Sequence, residues 1–215
     1  MTAKLITVAD PRSAEAEAYR RLRTNLEFTS LDHPLRTLLI TSAGPGEGKS
    51  TALANLAVSI AQAGRSVILV DSDLRRPSLH DVFGLDNEEG LTTAVARPAE
   101  QPALQDSGVS GLSVLTSGPL PDIPADLIAS PAMDAVIAQL SERADIVLFD
   151  APPVVTVSDA AVLASRVDGV LLVVNAGRTR REYAQRAKAL LEKVHARLVG
   201  AVLINAPRDA ALLQA

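Results

Sequence analysis

The feature that most constrains this chain is a glycine-rich segment between an apolar run and a helical pattern. Residues 43–51 read AGPGEGKST and come soon after the apolar run Leu38–Thr41. Small residues let successive backbone N–H groups surround an anion, and the N-terminus of the following helix adds a partial positive charge. A strand, such a loop and a helix in this order are typical of a phosphate-binding loop. The chain is therefore expected to be an α/β protein that binds a nucleotide.

The loop itself predicts most of the nucleotide contacts. The residues expected to line the nucleotide are Gly44, Pro45, Gly46, Glu47, Gly48, Lys49, Ser50 and Thr51. In this pattern Lys49 reaches the β- and γ-phosphates of ATP, and Ser50 coordinates Mg²⁺. Ala43 stands where the pattern usually has its first Gly, but the closing residues 48–50 make the most restrictive contacts, so the prediction holds.

Three carboxylates follow two other predicted strands. Asp71 and Asp73 come after Val67–Val70, and Asp150 comes after Ile146–Phe149. Because open α/β sheets bind ligands at the carboxyl ends of their strands, we expect these acids to face the same phosphates around one Mg²⁺. For Asp71 or Asp73 taken singly, a helix N-cap is the alternative.

Short apolar runs alternate with helical patterns along the chain, which predicts repeated βαβ units. The remaining predicted strands are Leu112–Leu115, Val170–Val174 and Val199–Ile204. An apolar content of 47% with only 2% aromatic residues favours strands buried on both faces. We predict one domain over residues 1–215, a doubly wound, mostly parallel sheet with helices on both faces.

Three helical segments have recognisable patterns. A helix over residues 13–28 should have Ser13 as N-cap and a buried face of Ala18, Leu22 and Leu26. A Pro-rich loop, Pro119–Pro131, should lead into a second helix near Asp126–Leu140. A third is expected near Thr179–Arg197, with Thr179 and Glu182 as a capping box and an apolar stripe of Tyr183, Ala187, Leu190 and Val194.

Composition argues against several classes of protein. The chain has no cysteine, and its three histidines lack metal-ligand spacing, so disulfide, thiolate and histidine metal sites are not expected. A net charge of -4 gives no general attraction to nucleic acid. No apolar run is long enough to cross a bilayer and nothing resembles a secretion signal, so we expect a cytoplasmic protein.

Taken together, these segments resemble the bacterial tyrosine kinases of capsular and extracellular polysaccharide synthesis. The similarity covers nearly the whole chain. Its motifs are Glu17-x-x-Arg20-x-x-Arg23, the loop Ser42–Thr51, the run Asp71–Pro77 continuing through Phe83-Gly84-Leu85, Gly90-Leu91, Ser117-Gly118-Pro119, Asp150-Ala151-Pro152-Pro153 and the strand closed by Asn205. The Min and Par ATPases share this P-loop fold but carry an extra lysine, which would fall at Gly44. The kinase branch is therefore favoured.

The resemblance implies a role for each motif residue. Lys49 would bind phosphates, Ser50, Asp73 and Asp150 would hold Mg²⁺, and Asn205 would recognise adenine. Asp71 would be the base that accepts the proton of a tyrosyl hydroxyl. Arg75 would either steady phosphates as a catalytic residue or pair with the neighbouring aspartates as an ordinary ion pair.

The resemblance also implies partners. Glu17, Arg20 and Arg23 would dock each subunit onto its neighbour in a ring, although a solvated helix face is the alternative. The substrates would be protein tyrosines. A membrane-embedded adaptor of the polysaccharide co-polymerase type, or a fused membrane segment, would hold the kinase at the inner face of the plasma membrane.

The chain departs from the family in its tail. Residues 205–215 contain no tyrosine, and Tyr19 and Tyr183 are the two tyrosines of the sequence. We expect Tyr183 to pack in the interior. The departure leaves two alternatives open: a P-loop ATPase that acts as a nucleotide-driven assembly switch, and a Min- or Par-like positioning ATPase. The basic residues Arg178, Arg180 and Arg181 would contact phosphates, a partner or an acidic substrate, unless they only solvate the start of a helix.

Overall fold

A seven-stranded sheet organises the residues that the computed structural model describes, 5–29 and 33–206. The strands are Thr37–Ser42 (β1), Val67–Asp71 (β2), Gln105–Asp106 (β3), Leu112–Leu115 (β4), Ile146–Asp150 (β5), Gly169–Asn175 (β6) and Leu198–Ile204 (β7). Their spatial order is β3-β4-β2-β5-β1-β6-β7. All neighbouring strands are parallel except β3, which runs antiparallel to β4. The predicted strands are confirmed, and the two-residue β3 is an addition.

Helices cover both faces of the sheet. They are Ile6–Ala9 (α1), Ala14–Thr29 (α2), Lys49–Ala61 (α3), Leu79–Phe83 (α4), Leu91–Ala96 (α5), Pro124–Ala129 (α6), Pro131–Arg143 (α7), Asp159–Ala164 (α8) and Arg181–Lys193 (α9). One core contains α3 with residues of α2 and α4, and the other contains α5 to α9. Every residue of β1, β2 and β5 is buried, as expected for parallel strands covered on both sides. The predicted doubly wound fold is confirmed.

The strand order fixes where a ligand can bind. From β1 the chain crosses to β2 on one side, and from β5 it crosses to β6 on the other, so the connections change direction at β1 and β5 and a crevice is expected at the carboxyl ends of these strands. Ligands of open α/β sheets bind in such a crevice. The loop after β1, the acids after β2 and β5 and the loop after β6 all meet at this edge of the sheet.

The N-terminal helix is present, but its predicted buried face is wrong in part. Ser13 Oγ accepts a hydrogen bond from the Ala16 amide at 3.2 Å, as expected of an N-cap. Ala16 and Leu26 are buried, whereas Ala18 is exposed. The helix is therefore rotated relative to the prediction, and Arg23 lies on its packed side.

One predicted helix is divided into two in the structure. The segment near Asp126–Leu140 forms two helices, because Ser130 ends α6 and also caps α7 by accepting a hydrogen bond from Met133 N. Pro131, the first residue of α7, holds the preceding Ser130 in an extended conformation. The predicted break after α2 begins at Asp32, which lies outside the described residues.

The capping box predicted for α9 is absent. The helix begins at Arg181, and the hydroxyl of Thr179 is hydrogen-bonded to Glu47 of the glycine-rich loop instead. Tyr183 is 47% exposed, so the prediction that it packs in the interior is also wrong. Of the predicted apolar stripe, Ala187 is buried and Leu190 and Val194 are half-buried, whereas Tyr183 is exposed.

No helix within residues 5–29 and 33–206 combines the length and hydropathy needed to cross a membrane.

Candidate functional site: a phosphate-binding loop faced by three carboxylates

The glycine-rich loop joins β1 to α3 through two residues of left-handed backbone. Gly46 has φ 69° and Gly48, the N-cap of α3, has φ 77°. A Cβ atom at Gly48 would also lie only 2.9 Å from Ile204 Cδ1. Residues with a Cβ atom rarely adopt this backbone conformation, so glycine is required at both positions. Pro45, Gly46 and Gly48 are exposed, so the loop is accessible from solvent.

Glu47 supports the loop from behind. Its side chain is buried, and Oε2 accepts a hydrogen bond from the Ala43 amide at 3.1 Å. Oε1 accepts one from Thr179 Oγ1 at 2.6 Å, and the same hydroxyl accepts one from the Asn175 amide at 2.9 Å. The carboxylate therefore braces the two ends of the loop against the end of β6. Sequence reasoning placed Glu47 at the nucleotide, whereas its side chain faces the protein.

Arg178 adds a second connection between the loop after β6 and the phosphate-binding loop. Its Nη1 donates to the carbonyl oxygen of Gly46 at 2.8 Å. The sequence predicted that Arg178 lies at the nucleotide edge, but not that it fastens the loop. One of its N–H groups is thus already engaged by the protein.

Lys49 bridges two of the three predicted carboxylates. Its Nζ lies 2.9 Å from Asp73 Oδ2 and 3.1 Å from Asp150 Oδ1. The three side chains are 10%, 5% and 0% exposed, so the pairing is deep in the crevice. Burial alone lowers the pKa of Lys49, but attraction to Asp150 and Asp73 outweighs it and the net pKa is raised. Lys49 is therefore charged and held on the acids before it meets a phosphate.

Asp71 lies one strand away from this bridge. It ends β2 directly beside Asp150 of β5 and is completely buried. Its Oδ2 accepts hydrogen bonds from the amides of Ser78 and Leu79, at 2.8 and 2.9 Å. Burial and then repulsion by Asp150 raise the pKa of Asp71 to about 7, against the smaller lowering by these two amides and Lys49. A carboxyl with this pKa exchanges a proton at neutral pH.

Asp150 keeps one carboxylate oxygen without a partner. Oδ1 faces Lys49, whereas the buried Oδ2 has no hydrogen-bond partner among the described residues. Burial raises the pKa of Asp150, although Lys49 and Ser50 act in the opposite direction. An unpaired buried carboxylate oxygen is costly unless a cation or donor completes it.

These residues fit a magnesium ion bound together with a nucleotide. Ser50 lies in the first turn of α3, and its Oγ accepts a hydrogen bond from Lys49 Nζ at 3.2 Å. It is next to Asp150, whose Oδ2 has no hydrogen-bond partner among the described residues. Within the part of the chain that the structure describes, no group of three acidic or histidine side chains could hold a metal by itself. Mg²⁺ usually takes one or two protein oxygens and completes its shell with phosphates and water. Ser50 and Asp150 suit that arrangement, whereas Asp73 is paired with Lys49.

Arg75 forms an ion pair with a residue that the sequence analysis missed. Its Nε and Nη2 donate to Asp159 Oδ2 and Oδ1, at 2.8 and 3.2 Å. Asp159 opens α8 and is buried, and this pairing raises the pKa of Arg75, with burial opposing it. The expected ion pair thus exists, but with Asp159 instead of Asp71 or Asp73. It connects the segment after β2 to the segment after β5.

Two asparagines mark the far end of the crevice. Asn205 follows β7, is exposed and has φ 53°, a left-handed backbone conformation that asparagine tolerates. Asn175 ends β6, is buried, and accepts a hydrogen bond from the Gly177 amide through Oδ1. Asn205 therefore lies at the predicted edge, and its contact with adenine stays a prediction.

The predicted docking motif on α2 divides into two parts. Glu17 and Arg20 pair at the surface at 2.7 Å, and Arg20 also donates to the carbonyl oxygen of Pro11. Arg23 faces α3, where its Nη1 donates to the carbonyl oxygen of Ser59 at 2.9 Å. The expectation that all three lie outside the buried face is wrong for Arg23, because the helix is rotated toward α3 at this point.

Comparisons with known proteins agree on one family. Residues 35–205 match the ParA family model, described as NUBPL iron-transfer P-loop NTPase. The tyrosine-protein kinase YwqD of Bacillus subtilis (strain 168) is 43% identical over 204 residues, 94% of this chain and 86% of that protein. The crystal structure of the chimerical protein CapA2B2 has a TM-score of 0.90 at 38% identity, covering 95% of this chain and 90% of that one. The kinase domain of the Escherichia coli tyrosine kinase ETK has a TM-score of 0.92 at 32% identity, covering 98% and 83%.

These matches confirm the P-loop fold and the tyrosine kinase assignment that the motifs predicted. The 215 residues contain no cysteine, so thiolate ligands for iron have no counterpart in them. The match to the ParA model therefore concerns the nucleotide-binding fold. This chain belongs to the bacterial tyrosine kinases, within the ParA-type P-loop NTPases.

Proposed function

We propose that this protein transfers the γ-phosphoryl group of Mg-ATP to tyrosine side chains and thereby regulates polysaccharide synthesis and export. The observation that carries the proposal is the buried bridge from Lys49 to Asp73 and Asp150 beside the phosphate-binding loop. Membership in the bacterial tyrosine kinases supplies the reaction. The residues supply its charges.

Binding of the triphosphate would redirect Lys49. Its ammonium group lies between two carboxylates, and phosphate oxygens offer it a competing anionic partner. The exposed amides of the loop would surround the same phosphates. Mg²⁺, held by Ser50 and Asp150, would neutralise part of the charge that develops on them. Phosphoryl transfer depends mainly on such positioning and charge stabilisation.

Asp71 would act as the base. A tyrosyl hydroxyl has a pKa of about 10, so a positioned acceptor for its proton favours attack on the γ-phosphorus. Because the pKa of Asp71 is raised to about 7, the group is both available and basic at neutral pH. Its Oδ2 would have to exchange the Ser78 and Leu79 amides for the substrate hydroxyl.

The same burial of Asp71 favours a second candidate function. In the described conformation the carboxylate is fully covered, and a tyrosine has no access to it. A protein that never uncovers Asp71 would bind Mg-ATP and change its assembly without phosphorylating tyrosine. This nucleotide-driven assembly switch is the alternative that the transfer assay must exclude.

A peptide substrate separates the two functions. Wild type with Mg-ATP should phosphorylate a random polymer of glutamate and tyrosine. Asp71→Asn should keep nucleotide binding and lose transfer by a factor of about 100 or more, the usual scale for a general base. Binding of Mg-ATP without transfer to any tyrosine polymer, even with an adaptor peptide present, would leave the assembly switch as the function.

We propose that the chain self-associates through α2 and works at the inner face of the plasma membrane with a co-polymerase adaptor. Glu17→Ala combined with Arg20→Ala should give monomers in light scattering at unchanged melting temperature. Removal of the exposed α9 pair Lys188–Glu192 is the matched control and should leave assembly intact. Arg23→Ala should instead lower stability, because it removes the bond to Ser59. A wild type that stays monomeric at high concentration with Mg-ATP would contradict this proposal.

A further inference from the structure

The two tyrosines of the chain differ in exposure. Tyr19 lies in α2, packs against the core beside Leu22, and burial raises its pKa. Tyr183 lies in the first turn of α9 and is 47% exposed. A phosphoacceptor hydroxyl must leave its own surface to enter another active site, and only Tyr183 is placed to do so.

The surroundings of Tyr183 favour a phosphate. Arg186 lies three residues after it on α9, and residues at this spacing are neighbours on a helix surface. Arg180, three residues before it, is the N-cap of α9. Both are exposed, as is Arg181. Within the part of the chain that the structure describes, none of these three side chains forms a hydrogen bond or ion pair. A phosphate facing unpaired arginines near the start of a helix gains charge-assisted hydrogen bonds.

The topology argues against transfer within one molecule. Tyr183 follows β6, whereas Asp71 ends β2, and β5 and β1 lie between these strands. Three strand spacings amount to about 14 Å. A second copy, by contrast, can present its α9 to the open edge of the first.

We propose that Tyr183 is a phosphoacceptor site, modified by the active site of another copy of this chain. The inference rests on the proposed kinase function and names a substrate of that site. The phenolic oxygen of Tyr183 forms a bond to the γ-phosphorus of ATP, and the bond from that phosphorus to the β,γ-bridging oxygen breaks. ADP leaves, and the phenolic proton passes to Asp71 of the other copy. The product places a phosphate next to Arg186 on α9 and near Arg180 at the N-cap of that helix.

The test uses two variants of the full chain that differ in size through a tag. The donor carries Tyr19→Phe and Tyr183→Phe, so it has an intact site and no tyrosine. The acceptor carries Asp71→Asn, so it keeps both tyrosines and loses transfer by a factor of about 100 or more. The two are mixed with Mg-ATP and a glutamate-tyrosine polymer, and phosphate is located by mass spectrometry. We expect phosphate on Tyr183 of the acceptor, and its loss when the acceptor also carries Tyr183→Phe but not Tyr19→Phe.

The polymer distinguishes a failure of the Tyr183 assignment from a failure of the kinase function. If the donor phosphorylates the polymer while Tyr183 of the acceptor stays unmodified, or if Tyr19 takes the phosphate, the assignment of Tyr183 is overturned and the kinase function stands. If neither polymer nor acceptor is modified, although the donor binds Mg-ATP, the kinase function falls and Tyr183 with it. Equal melting temperatures of wild type and Tyr183→Phe would confirm that loss of this exposed hydroxyl does not disturb the fold.

Discussion

Replacement of Lys49 by methionine should destabilise the nucleotide-free protein as well as abolish phosphate binding. Methionine fills a similar volume but leaves Asp73 and Asp150 buried without their cation, beside the equally buried Asp71. Removal of one partner from a buried ion pair costs about 3–5 kcal/mol. For a chain of this size each kcal/mol lowers the melting temperature by about 2–4 °C. We therefore expect a melting temperature about 6–20 °C below that of wild type at about pH 8.

The loss of stability caused by Lys49→Met should become smaller as the pH falls. Lys49, whose pKa is raised above 10.5, is charged in wild type throughout this range, so its contribution is constant. In Lys49→Met the buried carboxylates lack their cation, and their charge destabilises the folded state. A carboxyl whose folded pKa is raised destabilises the fold above its unfolded pKa of about 3.9, and this cost disappears as the group becomes protonated. At about pH 5.5 the pKa values of Asp71 and Asp150, already raised with Lys49 present, should leave a smaller difference.

Thermal and urea unfolding without nucleotide at both pH values would measure the effect. The double variant Lys49→Met with Asp150→Asn is the matched control and should recover part of the lost stability, since it removes the worst-placed charge. Equal stability of wild type and Lys49→Met at the higher pH would refute the reasoning, because it would mean that Lys49 does not compensate these acids. Nucleotide binding by the variant is interpretable only at temperatures where it is folded.

The rate of tyrosine phosphorylation should rise with pH to a plateau above about 7, because Asp71 has a pKa raised to about 7 and must lose its proton before it can accept one. This rising limb should be missing from the residual rate of Asp71→Asn, and its persistence there would assign it to another group. Thr179→Val should weaken binding of Mg-ATP about tenfold or more, since a hydrogen bond to a charged group is worth about 1.5–3 kcal/mol and Glu47 would lose one. Thr37→Val removes the same kind of bond, to Asp168 at the opposite edge of the sheet, and should leave affinity unchanged; equal affinities for both variants would show that the loop needs no brace.

Much of the site could be predicted because its parts are local in sequence. Each acid follows a buried strand, and parallel strands bring their carboxyl ends to one edge, so the convergence of Asp73 and Asp150 on Lys49 follows from the topology. The glycine-rich loop needs only its own residues to adopt its shape. These predictions required no knowledge of which side chains meet across the fold.

The connections that fasten the site could not be predicted in this way. Thr179 and Glu47 are 132 residues apart, and Arg75 and Asp159 are 84 apart, so only the packed fold reveals them. The local pattern around Thr179 was even misleading, because a Thr with Glu182 three residues later reads as a capping box. In the structure the Thr179 hydroxyl donates to the buried Glu47 carboxylate instead of capping the helix.

The predicted rotation of α2 about its own axis was wrong for a different reason. Alanine occupies both sides of this helix, at positions 16 and 18, so the apolar stripe that fixes a helix rotation is ambiguous at its start. The Arg23 side chain is only 21% exposed, and its guanidinium donates to the backbone carbonyl of Ser59 in α3. A pattern that counts arginine as a surface residue cannot detect this arrangement.

The charge balance of the crevice determines which form of nucleotide it can accept. One lysine faces three buried carboxylates, Asp71, Asp73 and Asp150. Burial first, and then repulsion among these acids, raises the pKa of Asp71 and of Asp150. A triphosphate without metal would add further negative charge at short range in a poorly screened environment, where repulsion is strong. The magnesium complex brings its own compensation, and the unpartnered Asp150 Oδ2 offers it a ligand. We therefore expect the acids to favour the metal complex over free ATP, and to hold Lys49 in place until that complex binds.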